Sequence, residues 1–210
     1  MPRMKTLIAL LSALVLITSA SAQQPPAPSP TYRVELLVFR ATTALGGAES
    51  WGARTGVRGF NTSGEAGESP AGGQVGRFTR MLGPGELQLR EVAQQLRESG
   101  TYEPVAHVGW MQTASAWGTR AGFPVSRVGV HVPGLSGTVF LERGQFLHLG
   151  LALNYEMPEP PAGVGAGPGT PFSLNESRRV RFYERNYYDH PAFGVIALVT
   201  PAQGPRPAGR

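Results

Sequence analysis

The sequence predicts a single α+β domain, a largely antiparallel sheet of about seven strands with one clear helix packed on it. Three observations carry that expectation. Only "GELQLREVAQQLRESG" (85–100) has helical spacing, with Leu89, Val92, Ala93 and Leu96 at i, i+3, i+4 and i+7. Strand-length segments of alternating or continuous apolar residues fill most of the chain after Thr101. No internal repeat divides the chain into a second domain.

The first 22 residues fall outside the predicted fold. Arg3 and Lys5 precede an apolar run from Leu7 to Ile17, and Ala20-Ser21-Ala22 is a small-x-small cleavage site. This is the pattern of a secretory signal peptide cleaved after Ala22, and its apolar run is too short to span a bilayer. A periplasmic location and a mature chain of 188 residues, not membrane-spanning after cleavage, are therefore expected. The sequence has no cysteine, so burial rather than disulfides must stabilise an exported fold. Without Arg3 and Lys5 the 19 basic residues fall to 17, all arginine, against 14 acidic ones. That weak positive balance fits anionic polymers or surfaces in general and does not single out nucleic acid.

The elements follow in order. "QQPPAPSP" (23–30) reads as an extended Pro-rich linker. "YRVELLVFR" (32–40) is a strand whose run Leu36 to Phe39 suits burial on both faces. Residues 45–83 are rich in Gly, Ser and Thr and read as a long loop, with Trp51, Phe60 and Phe78 as its apolar anchors. In the 85–100 helix, Glu86 and Arg97 suit the two ends of the dipole and Gly100 is a natural stop. "YEPVAHVGWMQ" (102–112) sets Ala106, Val108 and Trp110 on one face and His107, Gly109 and Met111 on the other. "SRVGVHV" (126–132) reads as a short strand, and 135–155 as a hairpin turning at Arg143-Gly144 with Leu147, Leu149, Leu151 and Leu153 on one face. A Gly/Pro loop (158–171) precedes "RRVRFYERNYY" (178–188), read as one strand. "FGVIALVT" (193–200) is nearly all apolar and so central, the domain ends at 202, and residues 203–210 read as a disordered tail.

Catalytic and metal chemistry find little support in these spacings. The four histidines stand far apart with no thiolate, unlike the close ligand pairs of zinc sites, so no metal or cofactor is implied. Ser136 in "GLSGT" lacks the last glycine of a nucleophile elbow. Glu35, Glu103, Glu142 and Glu184 lie in or beside strands, and a glycosidase-like pair among them is left open by sequence alone. The Gly runs "GVGAGPG" and "GGQVG" lack the Lys-Ser/Thr of a phosphate loop.

The 178–188 segment is more informative. Strict alternation would place Arg179, Arg181, Tyr183, Arg185 and Tyr187 on one face. Guanidinium groups pair with carboxylates and tyrosine rings offer flat faces to sugars, so this stripe suits peptidoglycan, whose stem peptides carry carboxylates. An exposed sheet face kept soluble by arginine is the alternative. Asp189, the chain's single aspartate, and His190 precede Pro191, which biases His190 toward extended backbone. We read "NYYDHPAFGV" as a corner, with Asp189 accepting backbone N–H bonds across the reversal.

Several segments together resemble the CsiV family of periplasmic peptidoglycan-binding proteins. They are "YRVELLVFR" with a following "ESW", "GTYEPVAHVGWMQ", "GQFLHL" and "ERNYYDHPAFGVIALVTP". The family's E-x-x-Y-x-D-H-P-x-[FL]-G-V is matched by Glu184, Tyr187, Asp189, His190, Pro191, Phe193, Gly194 and Val195. Its H-x-x-W-x-Q is matched by His107, Trp110 and Gln112, and its L-H-L by Leu147, His148 and Leu149. The chain departs from the pattern at Asn186 and at Gln145-Phe146. The resemblance implies a non-enzymatic protein that binds peptidoglycan and supports a cell-wall synthase through its lipoprotein activator. An envelope adaptor without glycan affinity and a wall hydrolase are the alternatives.

Overall fold

Thr31–Ala41 (β1) is the middle strand of a five-stranded sheet in the computed structural model, which describes residues 29–43 and 74–202. Its neighbours are Tyr102–Thr113 (β3) on one side and Phe193–Pro201 (β10) on the other. Phe78–Met81 (β2) and Arg185–Asp189 (β9) form the two edges, and every pairing is antiparallel. A second five-stranded sheet runs Ser115–Ala116 (β4), Leu135–Arg143 (β6), Leu147–Glu156 (β7), Pro171–Arg179 (β8), with Phe123–Pro124 (β5) also beside β6. Only the short β4–β6 pairing is parallel.

The apolar run of β1 is explained by what lies on either side of it. Tyr32, Val34, Leu36 and Val38 face the second sheet and pack with Leu149, Leu151 and Leu153 of β7. Leu37 and Phe39 face the other way, against Leu89, Val92, Ala93 and Leu96 of the Arg90–Glu98 helix (α1) and the turn before it. The molecule is thus three layers deep: helix, first sheet, second sheet. Leu36, Leu37, Leu149 and Leu151 are at most 1% exposed, and each contributes roughly 1.5–3 kcal/mol by leaving water. The buried Tyr188 hydroxyl donates to the carbonyl of Leu149 at 2.9 Å, a polar tie between the sheets. Burial pushes the Tyr188 pKa upward, so it remains a donor.

One charged side chain lies in the helix-facing layer of β1. Glu35 is 3% exposed, and its carboxylate accepts the backbone N–H of Gln88 at 2.9 Å and of Leu89 at 2.8 Å. His107 of β3 completes its partners, with Nε2 2.7 Å from Oε1. Burial alone would raise the Glu35 carboxyl, but the bonds from His107, Gln88 and Leu89 outweigh it and hold the pKa below its ordinary value. This carboxylate, borrowed from a strand, caps the helix. The helical pattern expected from residue 85 therefore resolves into a 3-10 turn (Pro84–Glu86) and an α-helix starting only at Arg90. Gly100, at φ +67°, ends it as expected.

Three further expectations are corrected. There is not one sheet of about seven strands but two sheets holding ten strands among the described residues. Residues 126–132 are not a strand: Val125–Gly129 is a run of turns with Gly129 at φ +88°, and it buries Val128 and Val130 against the core. The 45–83 loop is interrupted by β2, where Phe78 meets Phe123 edge-to-face at 6.1 Å; Trp51 and Phe60 lie outside the described residues. The 135–155 hairpin, with its buried leucine face, and the interior position of the last strand match the sequence reading.

Replacing Glu35 by Ala leaves two backbone N–H groups and His107 unpaired in a dry layer, an expected loss of roughly 2–4 kcal/mol in denaturant unfolding. A depressed folded-state pKa means that the carboxylate stabilises the fold above the ordinary value of 4.5 and ceases to as pH falls through the folded value. The stability gap between wild type and Glu35→Gln should therefore hold above the ordinary value of 4.5 and shrink progressively as pH falls below it. A gap independent of pH would show that Glu35 is not the capping anion.

Candidate functional site

The second sheet leaves one end open to solvent, at the β6–β7 turn. The chain from β4 passes over the outer face of β6 there. Backbone bonds to Arg143 and the carboxylate of Glu142 hold it: Trp117 N–H donates to the Arg143 carbonyl at 3.2 Å, and Arg120 N–H donates to Glu142 Oε1. This path sets the Trp117 ring on His148, with centroids 4.1 Å apart, and against the bare Cα of Gly144. Trp117 nevertheless remains 52% exposed. Across β7, His148 pairs with Arg179 of β8, whose guanidinium stacks 3.4 Å from the Phe146 ring centroid. Trp117, His148, Phe146 and Arg179 thus form a continuous platform of π faces and one guanidinium.

Beside the platform is a cleft of about 320 Å³ lined by Ser29, Tyr32, Gln74, Ser115, Arg143 and Gly144, among others. Its only charged lining group is Arg143, which donates to the Tyr32 hydroxyl and has no carboxylate partner among the described residues. Arg179 likewise has no ion pair there. Two unneutralised guanidinium groups beside an exposed indole can pair with carboxylates while the ring covers the apolar face of a sugar.

The expected arginine–tyrosine stripe does not form one face. Residues 178–188 cross from one sheet to the other: Arg179 ends β8, Arg181 and Tyr183 lie in the crossover, and Arg185 and Tyr187 belong to β9. Tyr183, at φ 65°, breaks the extended backbone and donates its N–H to Val199 at 3.1 Å. All five side chains are exposed, but only Arg179 joins the platform. Tyr187 packs on Phe39 at 5.9 Å on the helix side of the first sheet.

Most residues that carried the resemblance turn out to build the fold. His107 holds Glu35. Trp110 Nε1 donates to Gln112 Oε1 at 2.6 Å, so the two motif residues satisfy each other inside the core. Gly194 lets the Phe39 ring approach, where a Cβ would lie 2.5 Å from Cζ. Glu184 is exposed and faces Arg181 at 3.5 Å. His148 is the exception, since it carries the platform.

The Asp189–His190 segment is a corner, but a different residue closes it. Pro191 and Ala192 form a two-residue turn, with His190 and Phe193 exchanging both backbone bonds at 3.0 and 3.2 Å. The cap is His190, whose Nδ1 accepts the N–H of Ala192 at 3.2 Å. Burial lowers the His190 pKa, with Asp189 acting in the opposite sense, and the neutral ring is the form that accepts. Asp189 is exposed, and no hydrogen bond reaches its carboxylate among the described residues. It borders a smaller cleft of about 150 Å³ with Phe39, Tyr102 and Pro191.

Of the four glutamates considered for catalysis, Glu35 is consumed by the helix, Glu103 pairs with Arg40 at 2.6 Å, and Glu142 lies under the crossing chain. Neither cleft is lined by two carboxylates. The described residues also hold no cluster of three metal-ligating side chains. Trp117, Phe146 and Arg143 belong to this candidate site, and the sequence reading did not name them for it. The available signal was a lone tryptophan in the otherwise small and polar "TASAWGTRAG".

These features define a class: a binding fold that presents aromatic faces and unneutralised cations at one end of a β-sandwich. The chain belongs to the CsiV family, whose description is "peptidoglycan-binding protein, CsiV" and which matches residues 4–202. No curated protein and no solved structure matches it. No helix among the described residues is long and apolar enough to cross a membrane.

Replacing His190 by Ala removes the turn cap and should cost roughly 1–2 kcal/mol, by analogy with loss of a side-chain cap elsewhere. Asp189→Ala should stay within about 0.5 kcal/mol of wild type. Equal losses in chemical denaturation would return the corner to Asp189.

Proposed function

We propose that this chain is an exported periplasmic protein that binds peptidoglycan without turning it over and serves as an accessory of cell-wall synthesis. Membership of a peptidoglycan-binding family and the leader pattern of residues 1–22 support this reading. The observation that carries it is the platform: Trp117, 52% exposed and seated on His148, beside two guanidinium groups without carboxylate partners among the described residues. Peptidoglycan offers sugar rings to the first and stem-peptide carboxylates to the second. A cell-wall synthase and its lipoprotein activator are the partners proposed for the accessory role.

A second reading, an envelope protein–protein adaptor, draws on Phe182 and Tyr183, adjacent crossover aromatics 44% and 59% exposed. Aromatic side chains of this kind are common anchors in protein interfaces. Specific capture of a synthase together with failure to bind sacculi would favour it.

Co-sedimentation of the chain from Gln23 onward with purified sacculi tests the first reading. Wild type should pellet at low salt, and Trp117→Ala with Arg179→Ala should reduce pelleting about tenfold while Tm stays within a few degrees. Arg185→Ala, on the other sheet, should pellet like wild type. Pelleting that follows Arg185 and ignores Trp117 would move the site off the platform.

A further inference from the structure

We propose that the smaller cleft, between Phe39, Tyr102 and Asp189, is a second binding site, built for a primary ammonium group. Its guest is the free amine of a diamino acid in the stem peptide. This rests on the peptidoglycan reading and adds to it a group of the polymer that the platform does not take.

The cleft lies at the far end of β1 from the platform. Tyr32 lines the larger cleft and Phe39 the smaller, and the seven residue steps between them cover roughly 23 Å at the usual rise of a strand. Register assembles the walls. Asp189 of β9 stands opposite Gly194 of β10, Gly194 opposite Phe39 of β1, and Ala41 opposite Tyr102 of β3. The bare Gly194 lets the Phe39 ring lie over β10 and reach Tyr187, with centroids 5.9 Å apart and planes inclined at 55°. Tyr102 meets the same ring edge-to-face at 5.2 Å and 87°. Rings set at such steep angles enclose a corner, whereas a sugar asks for one broad flat face. The volume of about 150 Å³ suits a compact head group, being well below the roughly 300 Å³ at which pockets for larger ligands begin.

Aromatic faces attract organic cations, and a carboxylate beside them strengthens the attraction. Asp189 supplies that carboxylate. It is exposed, and no hydrogen bond or ion pair engages it among the described residues. Arg178, whose field reaches Asp189, is itself bonded to Glu176, and Arg40 is held by Glu103. His190 is the one basic side chain in the lining, and burial favours its neutral form, which does not repel a positive guest. Burial also raises the Tyr187 pKa, with Tyr102 and Asp189 adding to the effect, so the two phenols and the carboxylate share one field. The molecule therefore offers unpaired guanidinium groups at one end and an unpaired carboxylate among aromatic rings at the other. Stem peptides that carry a diamino acid present both complementary charges.

The test has two arms. In the first, the chain from Gln23 is titrated by NMR with Nα-acetyl-lysine amide, whose only charge is its ammonium, and with the Nε-acetylated, uncharged counterpart. The charged probe should shift the resonances of Tyr102, Tyr187 and Asp189 and bind at least about tenfold more tightly than the neutral one. Asp189→Asn should abolish that preference while Tm stays within a few degrees. In the second arm, the free amines of purified sacculi are acetylated, which leaves the carboxylates for the platform. Acetylation should lower wild-type pelleting about threefold, as loss of one of two linked contacts lowers avidity, and should leave Asp189→Asn pelleting where it was. Equal affinity for the two probes, a preference that survives Asp189→Asn, or acetylation that acts alike on wild type and variant overturns the ammonium site. Pelleting that still requires Trp117 and Arg179 in that case leaves the peptidoglycan reading in place. If the charged probe binds through Asp189 while no sacculi pellet, the stem-peptide guest and the peptidoglycan reading fall together, and the cleft takes a lysine of another protein.

Discussion

The carboxylate of Glu35 sits where helix and first sheet meet, and the helical layer depends on its being satisfied there. An ionised group in a dry layer is tolerated only when its oxygens are fully engaged. Here the oxygens take two backbone donors from the chain ahead of α1 and one from His107. Three segments far apart in sequence are thereby pinned together: the central strand, the helix entry and β3. The register of β3 follows, because His107 reaches Glu35 only from the face opposite Trp110 and Gln112. A one-residue slip would bury the wrong set.

That arrangement also decides which surface is free to work. With α1 fixed over the first sheet and the second sheet on its other side, the outward face left among the described residues is that of β6, β7 and β8, open from the row of Thr138, Ala152 and Asn175 to that of Ser136, Asn154 and Ser173. The chain after β4 crosses that face from the turn end, where it delivers Trp117, to Phe140, which it buries together with Glu142.

The fold was legible in the sequence wherever one local period governed a segment. Leu89 to Leu96, the leucines of β7 and the nearly all-apolar β10 each obey a single rule, and each is buried as expected. The layering was not legible, because the strand pattern of β1 shows that two faces are covered and not by what. The stripe at 179–187 failed for a related reason. Alternation extrapolates a straight strand, whereas one left-handed residue, Tyr183, turns the chain between sheets. The helix start was missed because its cap comes from residue 35, more than fifty positions upstream.

The same limit explains why the motif residues pointed to the family more than to the site. His107, Trp110, Gln112, His190 and Gly194 are recognisable in sequence because each answers a strict local demand: a buried partner, a turn or a ring in close contact.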